Sequence, residues 1–116
     1  MIGIDVISIN RIETFIEKHK ERALKRYLSP SEISLVKYPK TAAGFWAAKE
    51  AISKALGCGI GKELSFHDII ITKTAKGAPK AELSQKAKEA HRVSEISISI
   101  THDSGLAIAV CAIGKY

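Results

Sequence analysis

The chain has 116 residues, 46% apolar and 26% charged, with 18 Lys and Arg against 12 Asp and Glu for a formal charge of +6. That length allows one domain with a modest core, and the surplus of positive charge suits an anionic partner without saying which. No apolar run reaches the ~18 residues of a membrane helix, no basic-then-apolar leader opens the chain, and Cys58 and Cys111 lack the C-x-x-C spacing of a zinc or redox pair, so the expectation is a cytoplasmic protein with no membrane partner.

Residues 2–7 read as a short strand, with Ile4 and Val6 on one face and Asp5 on the other. Asn10 and Glu13 have capping-box spacing, and Ile12, Ile16, Ala23 and Tyr27, with Phe15, mark the buried side of the helix they start. Ser29-Pro30-Ser31-Glu32 begins a second, short helix that runs to about Lys37 and ends at Tyr38-Pro39. Phe45, Ala48, Ile52, Ala55 and Leu56 recur at helical spacing over residues 45–56, and Gly57 stands where a C-terminal cap belongs. Downstream, Ile69–Thr72 and Ala81–Leu83 flank a turn at Lys76–Pro79, and Ser84 caps a helix extending to about Arg92. Ile96, Ile98 and Ile100 alternate with Ser97, Ser99 and Thr101 in a half-buried strand. His102-Asp103-Ser104-Gly105 turns the chain into a buried strand over Leu106–Ile113. The fold class is α+β: one small domain with an antiparallel-rich sheet packed by helices.

Three polar features stand out against that frame. Aspartate is disfavoured in strand interiors, yet Asp5 sits between Ile4 and Val6. Glu50 and Lys54 are i,i+4 on the 45–56 helix and share a face; as a plain surface pair they would contribute only about 0.3–0.5 kcal/mol. On the first helix Arg11, Lys18, Arg22 and Lys25 fall at steps of 7, 4 and 3, which at about 100° per residue puts them on an arc of roughly 60°. The run Gly57, Gly59, Gly61 is not a phosphate cradle, because it follows a helix and faces the negative end of its dipole.

The segments GIDVISINR at 3–11, FWAAKEAISKALG at 45–57, KGAP at 76–79 and SISITHDSGLAIA at 97–109, in that order, resemble the holo-[acyl-carrier-protein] synthase family, the small members of the 4′-phosphopantetheinyl transferase superfamily. The resemblance covers nearly the whole chain. It implies that fold, and transfer of 4′-phosphopantetheine from coenzyme A to a serine of apo-acyl carrier protein for fatty acid biosynthesis, leaving adenosine 3′,5′-bisphosphate. Phosphoryl chemistry of this kind needs a hard divalent cation and fixed positive charge, and Mg2+ asks for only one or two carboxylates beside substrate phosphates. The resemblance gives that metal to Asp5 and Glu50 and the catalytic roles to Glu50 and Lys54. Either Glu50 or a metal-held water takes the serine proton. Lys54, Gly77, Pro79, Thr101 and His102 are the implied coenzyme A contacts. Arg11, with Lys18, Arg22 and Lys25, is the implied docking ridge for the acidic carrier, and a homotrimer with its active sites at subunit boundaries is the implied assembly.

The chain departs from the family pattern at three places. Gly44 stands for a common arginine, with Lys40 and Lys49 the candidates to replace its charge; Ala78 stands for a lysine in the G-K-P turn; Asp103 replaces an uncharged residue. Two other functions compete. A small basic nucleic-acid-binding domain fits the charge, but the chain is only 6% aromatic and has no aromatic–basic motif. A structural oligomerisation module leaves Asp5, Glu50 and Lys54 without a role.

Overall fold

The computed structural model describes residues 1–116. It opens with β1 (Ile2–Ser8), followed by α1 (Ile9–His19), α2 (Glu21–Lys25), α3 (Pro30–Ile33) and the long α4 (Pro39–Leu56). A single 3-10 turn at Phe66–Asp68 leads into β2 (Ile69–Lys73), β3 (Pro79–Leu83), α5 (Gln85–Ala90), β4 (Val93–Asp103) and β5 (Leu106–Lys115). The strands form an antiparallel sheet in the order β1-β5-β4 and a separate antiparallel pair β2-β3. The expected α+β class is what the chain adopts. No helix is long and apolar enough to cross a membrane.

α4 is the axis of the domain. Ala42, Ala43, Ala47, Ala48, Ala51 and Ala55 are buried, and their small side chains let sheet and loops close around the helix on nearly every side. It starts at Pro39, six residues before the expected Phe45. The Tyr38-Pro39 step that ends the preceding segment also supplies a proline in the first turn, where its missing N–H costs nothing. Gly57 caps it in the left-handed conformation, φ 76°, as expected. β1 lies directly on α4: a Cβ at Gly3 would stand 2.0 Å from the Ala51 carbonyl oxygen and 2.5 Å from the Ala55 nitrogen. Only glycine permits that approach.

The closeness decides which face of β1 is inside. Gly3 and Ile7 are buried with Asp5 between them, while Ile4 and Val6 point outward, 60% and 56% exposed. Likewise β5 is not buried on both faces. Ala107, Ala109, Cys111 and Ile113 face α4, and Leu106 and Val110 are exposed on the other side. Register pairs Ile4 with Val110 and Val6 with Ile108, so the outer face of the sheet carries an apolar strip. The β4–β5 turn is just Ser104-Gly105, both at positive φ (51° and 77°), a two-residue hairpin with the twist of the strands. His102 and Asp103 therefore belong to β4 rather than to the turn.

The first helix differs from expectation. Its N-cap is Ser8, whose hydroxyl accepts from the Arg11 N–H at 3.2 Å, and not Asn10. It ends at His19 because Lys20 adopts φ 55°, and α2 starts in a new direction. The four basic residues thus do not lie on one helix: Arg11 and Lys18 belong to α1, Arg22 and Lys25 to α2, and all four side chains are exposed.

Glu32 has a larger part than the capping role its position in the SPSE segment suggests. Fully buried, it accepts from the Ser29 N–H (2.8 Å), the Ile71 N–H (2.9 Å) and Lys49 Nζ (2.9 Å). Lys49, also fully buried, donates further to the carbonyls of Tyr27 and Phe66 at 2.7 and 3.0 Å. Every donor and acceptor of this ion pair is satisfied, so it fastens α3, α4 and β2 in one arrangement. Lys49 is therefore unavailable to replace the charge missing at Gly44.

Candidate active site

Two clusters of the expected residues form, at different levels of α4. The first lies over its C-terminal half. Because Gly3 brings β1 against Ala51 and Ala55, the inward-facing Asp5 arrives beside the helix turn that carries Glu50 and Lys54. Lys54 does not pair with Glu50 as the i,i+4 spacing suggests. Its Nζ reaches Asp5 Oδ1 at 2.8 Å, across 49 residues of sequence. The bond to Asp5 raises the Lys54 pKa, keeping the ammonium charged. Glu50 has no cation within ion-pair distance. Partial burial raises its pKa, the Asp5 charge raises it further, and Lys54 offsets part of both. Lys54 pairs with Asp5 alone, and the neighbouring unpaired Glu50 is pushed towards its neutral form. That combination makes a site for added positive charge, and its all-oxygen donor set suits a hard cation such as Mg2+.

The second cluster lies over the N-terminal half. A groove of about 130 Å3 is lined by Thr41, Gly44, Lys73, Gly77, Pro79 and His102, with Phe45 and Ile100 at its base. The His102 Nε2 is 2.8 Å from the Lys40 carbonyl oxygen. A carbonyl only accepts, so Nε2 carries the proton and Nδ1 is the free ring nitrogen. Gly44 makes room for this ring: a Cβ there would stand 3.0 Å from Ile100 Cγ2 and 3.1 Å from His102 Nε2. Gly77 turns the β2–β3 loop at φ 86°, with its N–H on the Thr74 carbonyl at 2.8 Å.

Of the expected coenzyme A contacts, Gly77, Pro79 and His102 therefore meet in one groove. Thr101 does not, since it pairs with Ile108 on the opposite face of the sheet. Lys54 belongs to the other cluster. Six residues of helix, about 9 Å of rise, separate Gly44 from Glu50. Lys73 is the residue that sequence reasoning missed. Its β2 position opposite Pro79 puts it in the groove, and it is the only charged side chain lining it besides the titratable His102. Its signal was the β2–β3 register, which a single chain read linearly does not display.

The arrangement of a central helix on a three-stranded antiparallel sheet is that of the phosphopantetheinyl transferases, as comparison with known proteins shows. The chain belongs to the 4′-phosphopantetheinyl transferase superfamily, whose family model matches residues 1–111. A holo-[acyl-carrier-protein] synthase of Wolinella succinogenes is 58% identical over 115 residues, covering 99% of this chain and 98% of that one. The crystal structure of the Helicobacter pylori holo-[acyl-carrier-protein] synthase in complex with coenzyme A superposes with a TM-score of 0.96 at 50% identity, over 98% of this chain and all of that one. The Bacillus anthracis synthase, solved in complex with CoA (3′,5′-ADP), gives 0.82 at 36% identity over 99% and 96% of the two chains.

Proposed function

We propose that this protein is a magnesium-dependent holo-[acyl-carrier-protein] synthase. It transfers the 4′-phosphopantetheine group of coenzyme A to a serine of apo-acyl carrier protein and releases adenosine 3′,5′-bisphosphate, supplying the carrier of fatty acid biosynthesis in the cytoplasm. The observation that carries the reading is Asp5, ion-paired with Lys54, beside the unpaired Glu50 at the Gly3 contact. It adds chemistry to the likeness in sequence and fold, including the relative that binds coenzyme A.

In the reaction the serine oxygen forms a bond to the β-phosphorus as the bond to the bridging pyrophosphate oxygen breaks. The nucleotide leaves with that electron pair. Asp5 and Glu50 would hold Mg2+, which supplies charge neutralisation at the pyrophosphate oxygens. Lys54, kept charged beside Asp5, adds a fixed cation on the phosphate side. Glu50 is the carboxylate placed to accept the serine proton: no side chain ties its oxygens, so one can hold the ion and the other remains for the proton. In the groove, Lys73 faces a phosphate of the nucleotide and His102, held by the Lys40 carbonyl, lines its wall. Arg11, Lys18, Arg22 and Lys25 present positive charge from α1 and α2 to the acidic carrier, a role in steering and orientation.

The two clusters make one site if protomers associate. The apolar outer strip supports a homotrimer: Ile2, Ile4 and Val6 of β1 and Val110 of β5 are 75%, 60%, 56% and 41% exposed on one continuous face. Burying that face would also bring Thr101, on the same side, into a subunit boundary.

Intact-mass spectrometry of apo-acyl carrier protein with this protein, coenzyme A and Mg2+ tests the reading. The expected result is a gain of one phosphopantetheine group, lost with chelator and in Glu50→Gln. A folded sample that leaves several carrier proteins unmodified would overturn it.

A further inference from the structure

Outside both clusters, the loop leaving α4 passes the C-terminal end of α5. There Cys58, Glu63 and His91 each present one ligand atom, and the three atoms lie within 4.8 Å of one another. They are 5 and 28 residues apart in sequence, so no local motif announces them. Cys58 and His91 are half-buried and Glu63 is exposed, which leaves the cluster open to solvent on one side.

Local structure fixes each member. The N–H groups of Cys58 and Gly59 both bond to the Ser53 carbonyl, at 3.2 and 3.3 Å, so Cys58 is anchored to the last turn of α4. Gly57 and Gly59, at φ 76° and 67°, reverse the chain, and the Gly61 N–H on the Leu64 carbonyl at 2.9 Å closes the short loop that carries Glu63. His91 caps α5, its N–H on the Ala87 carbonyl at 3.0 Å, and its ring Nε2 lies 3.2 Å from the Glu63 backbone carbonyl. The carbonyl fixes the proton on one ring nitrogen and leaves the other with its lone pair. A backbone carbonyl on the second nitrogen is how ligating histidines are oriented in metal sites.

We propose that Cys58, Glu63 and His91 form a binding site for Zn2+ or a similar borderline-soft divalent cation, with the fourth position left to solvent. A sulfur, a nitrogen and an oxygen are the donors that zinc accepts at about 2.0–2.3 Å in a tetrahedron, which places them roughly 3.5 Å apart. The observed spacing needs a closure of about 1 Å, within reach of side-chain rotation on a loop with three glycines. The Cys58 thiol gives its proton to solvent as the ion binds. Ligand type separates this site from the acid pair: thiolate and imidazole select zinc, and carboxylates alone select magnesium. Once loaded, it ties the α4 exit loop to α5. Nothing in this assignment depends on the transferase reading.

Cobalt(II) is the probe, because it reports thiolate ligation by absorption. Titrated into reduced, metal-free protein, it is expected to give a thiolate-to-cobalt charge-transfer band with tetrahedral d–d bands at one ion per chain, displaced by Zn2+. The charge-transfer band should vanish in Cys58→Ser, affinity should fall at least tenfold in His91→Ala, and both should persist in Glu50→Gln. In the unmutated protein Zn2+ should also protect Cys58 from alkylation; Cys111 is fully buried and does not compete. Absence of a thiolate band at millimolar cobalt, or a band unchanged in His91→Ala, overturns the proposal, as does unprotected alkylation of Cys58.

Discussion

Glu50 is the acid without a cation of its own, and that has a cost the apo protein bears. Its pKa is raised by burial first and by Asp5 second, so the folded chain keeps the Glu50 proton to higher pH than the unfolded chain does. The folded state then binds more protons, and its stability falls as pH rises from the ordinary value of 4.5 through the raised one. Glu50→Gln removes that loss. In metal-free buffer the variant should melt above the parent at pH 7 and level with it near pH 4. Added Mg2+ should then raise the melting temperature of the parent by more than that of the variant. Melting curves that run parallel for the two proteins from pH 4 to 8 would contradict this account of Glu50. Lys73 is the second residue whose chemistry can be isolated. A charged hydrogen bond contributes about 1.5–3 kcal/mol, so Lys73→Ala should raise KM for coenzyme A roughly tenfold to a hundredfold. If its partner is the 3′-phosphate, KM for 3′-dephospho-coenzyme A should stay unchanged; an equal rise for both would remove Lys73 from that role.

At the level of elements the β1–α4 contact governs the site, and Gly3 governs the contact. A methyl group at residue 3 meets backbone atoms that cannot rotate away. Gly3→Ala should cost about 1–3 kcal/mol of stability by overpacking, seen in urea denaturation. It should lower transfer activity by more than the unfolded fraction explains, since the displaced strand carries Asp5. Full activity in a destabilised Gly3→Ala protein would separate the contact from the site. Much of this level was legible in the sequence. The alternation of β4, the Gly57 cap, the Ser84 cap (3.2 Å to the Ala87 N–H) and the Glu50–Lys54 face all follow from short-range rules. The misreadings have two causes. β5 reads as a buried strand, but its outer face is open, because a glycine of the neighbouring β1 meets a helix 48 residues away and puts only the other face of the sheet inside. Lys49 looked like a spare surface charge, and its partner Glu32 lies 17 residues upstream in a different element. Asn10 offered a capping box two residues from the real cap, Ser8. Lys20 broke a helix whose apolar spacing continues across the break. Long-range contact overrode a sound local signal in the first two cases and backbone conformation did in the last two.

For the whole molecule, the clusters at the two ends of α4 have to serve one reaction, and the apolar outer face of the sheet has to be covered. In the proposed assembly, association through that face would answer both requirements, with the acid pair of one protomer completing the groove of its neighbour. In that arrangement the proposed carrier-docking residues of α1 and α2 would stay exposed. The most direct measurement uses two variants, each damaged in one cluster: Glu50→Gln, and Lys73→Glu combined with His102→Ala. Co-expressed with different affinity tags and purified through both, they form mixed oligomers that can be assayed for phosphopantetheine transfer. Each variant alone should be nearly inactive, and the mixed oligomer should recover a substantial fraction of parent activity, because some boundaries join two intact clusters. A mixed oligomer no more active than its parts would contradict a site shared between protomers.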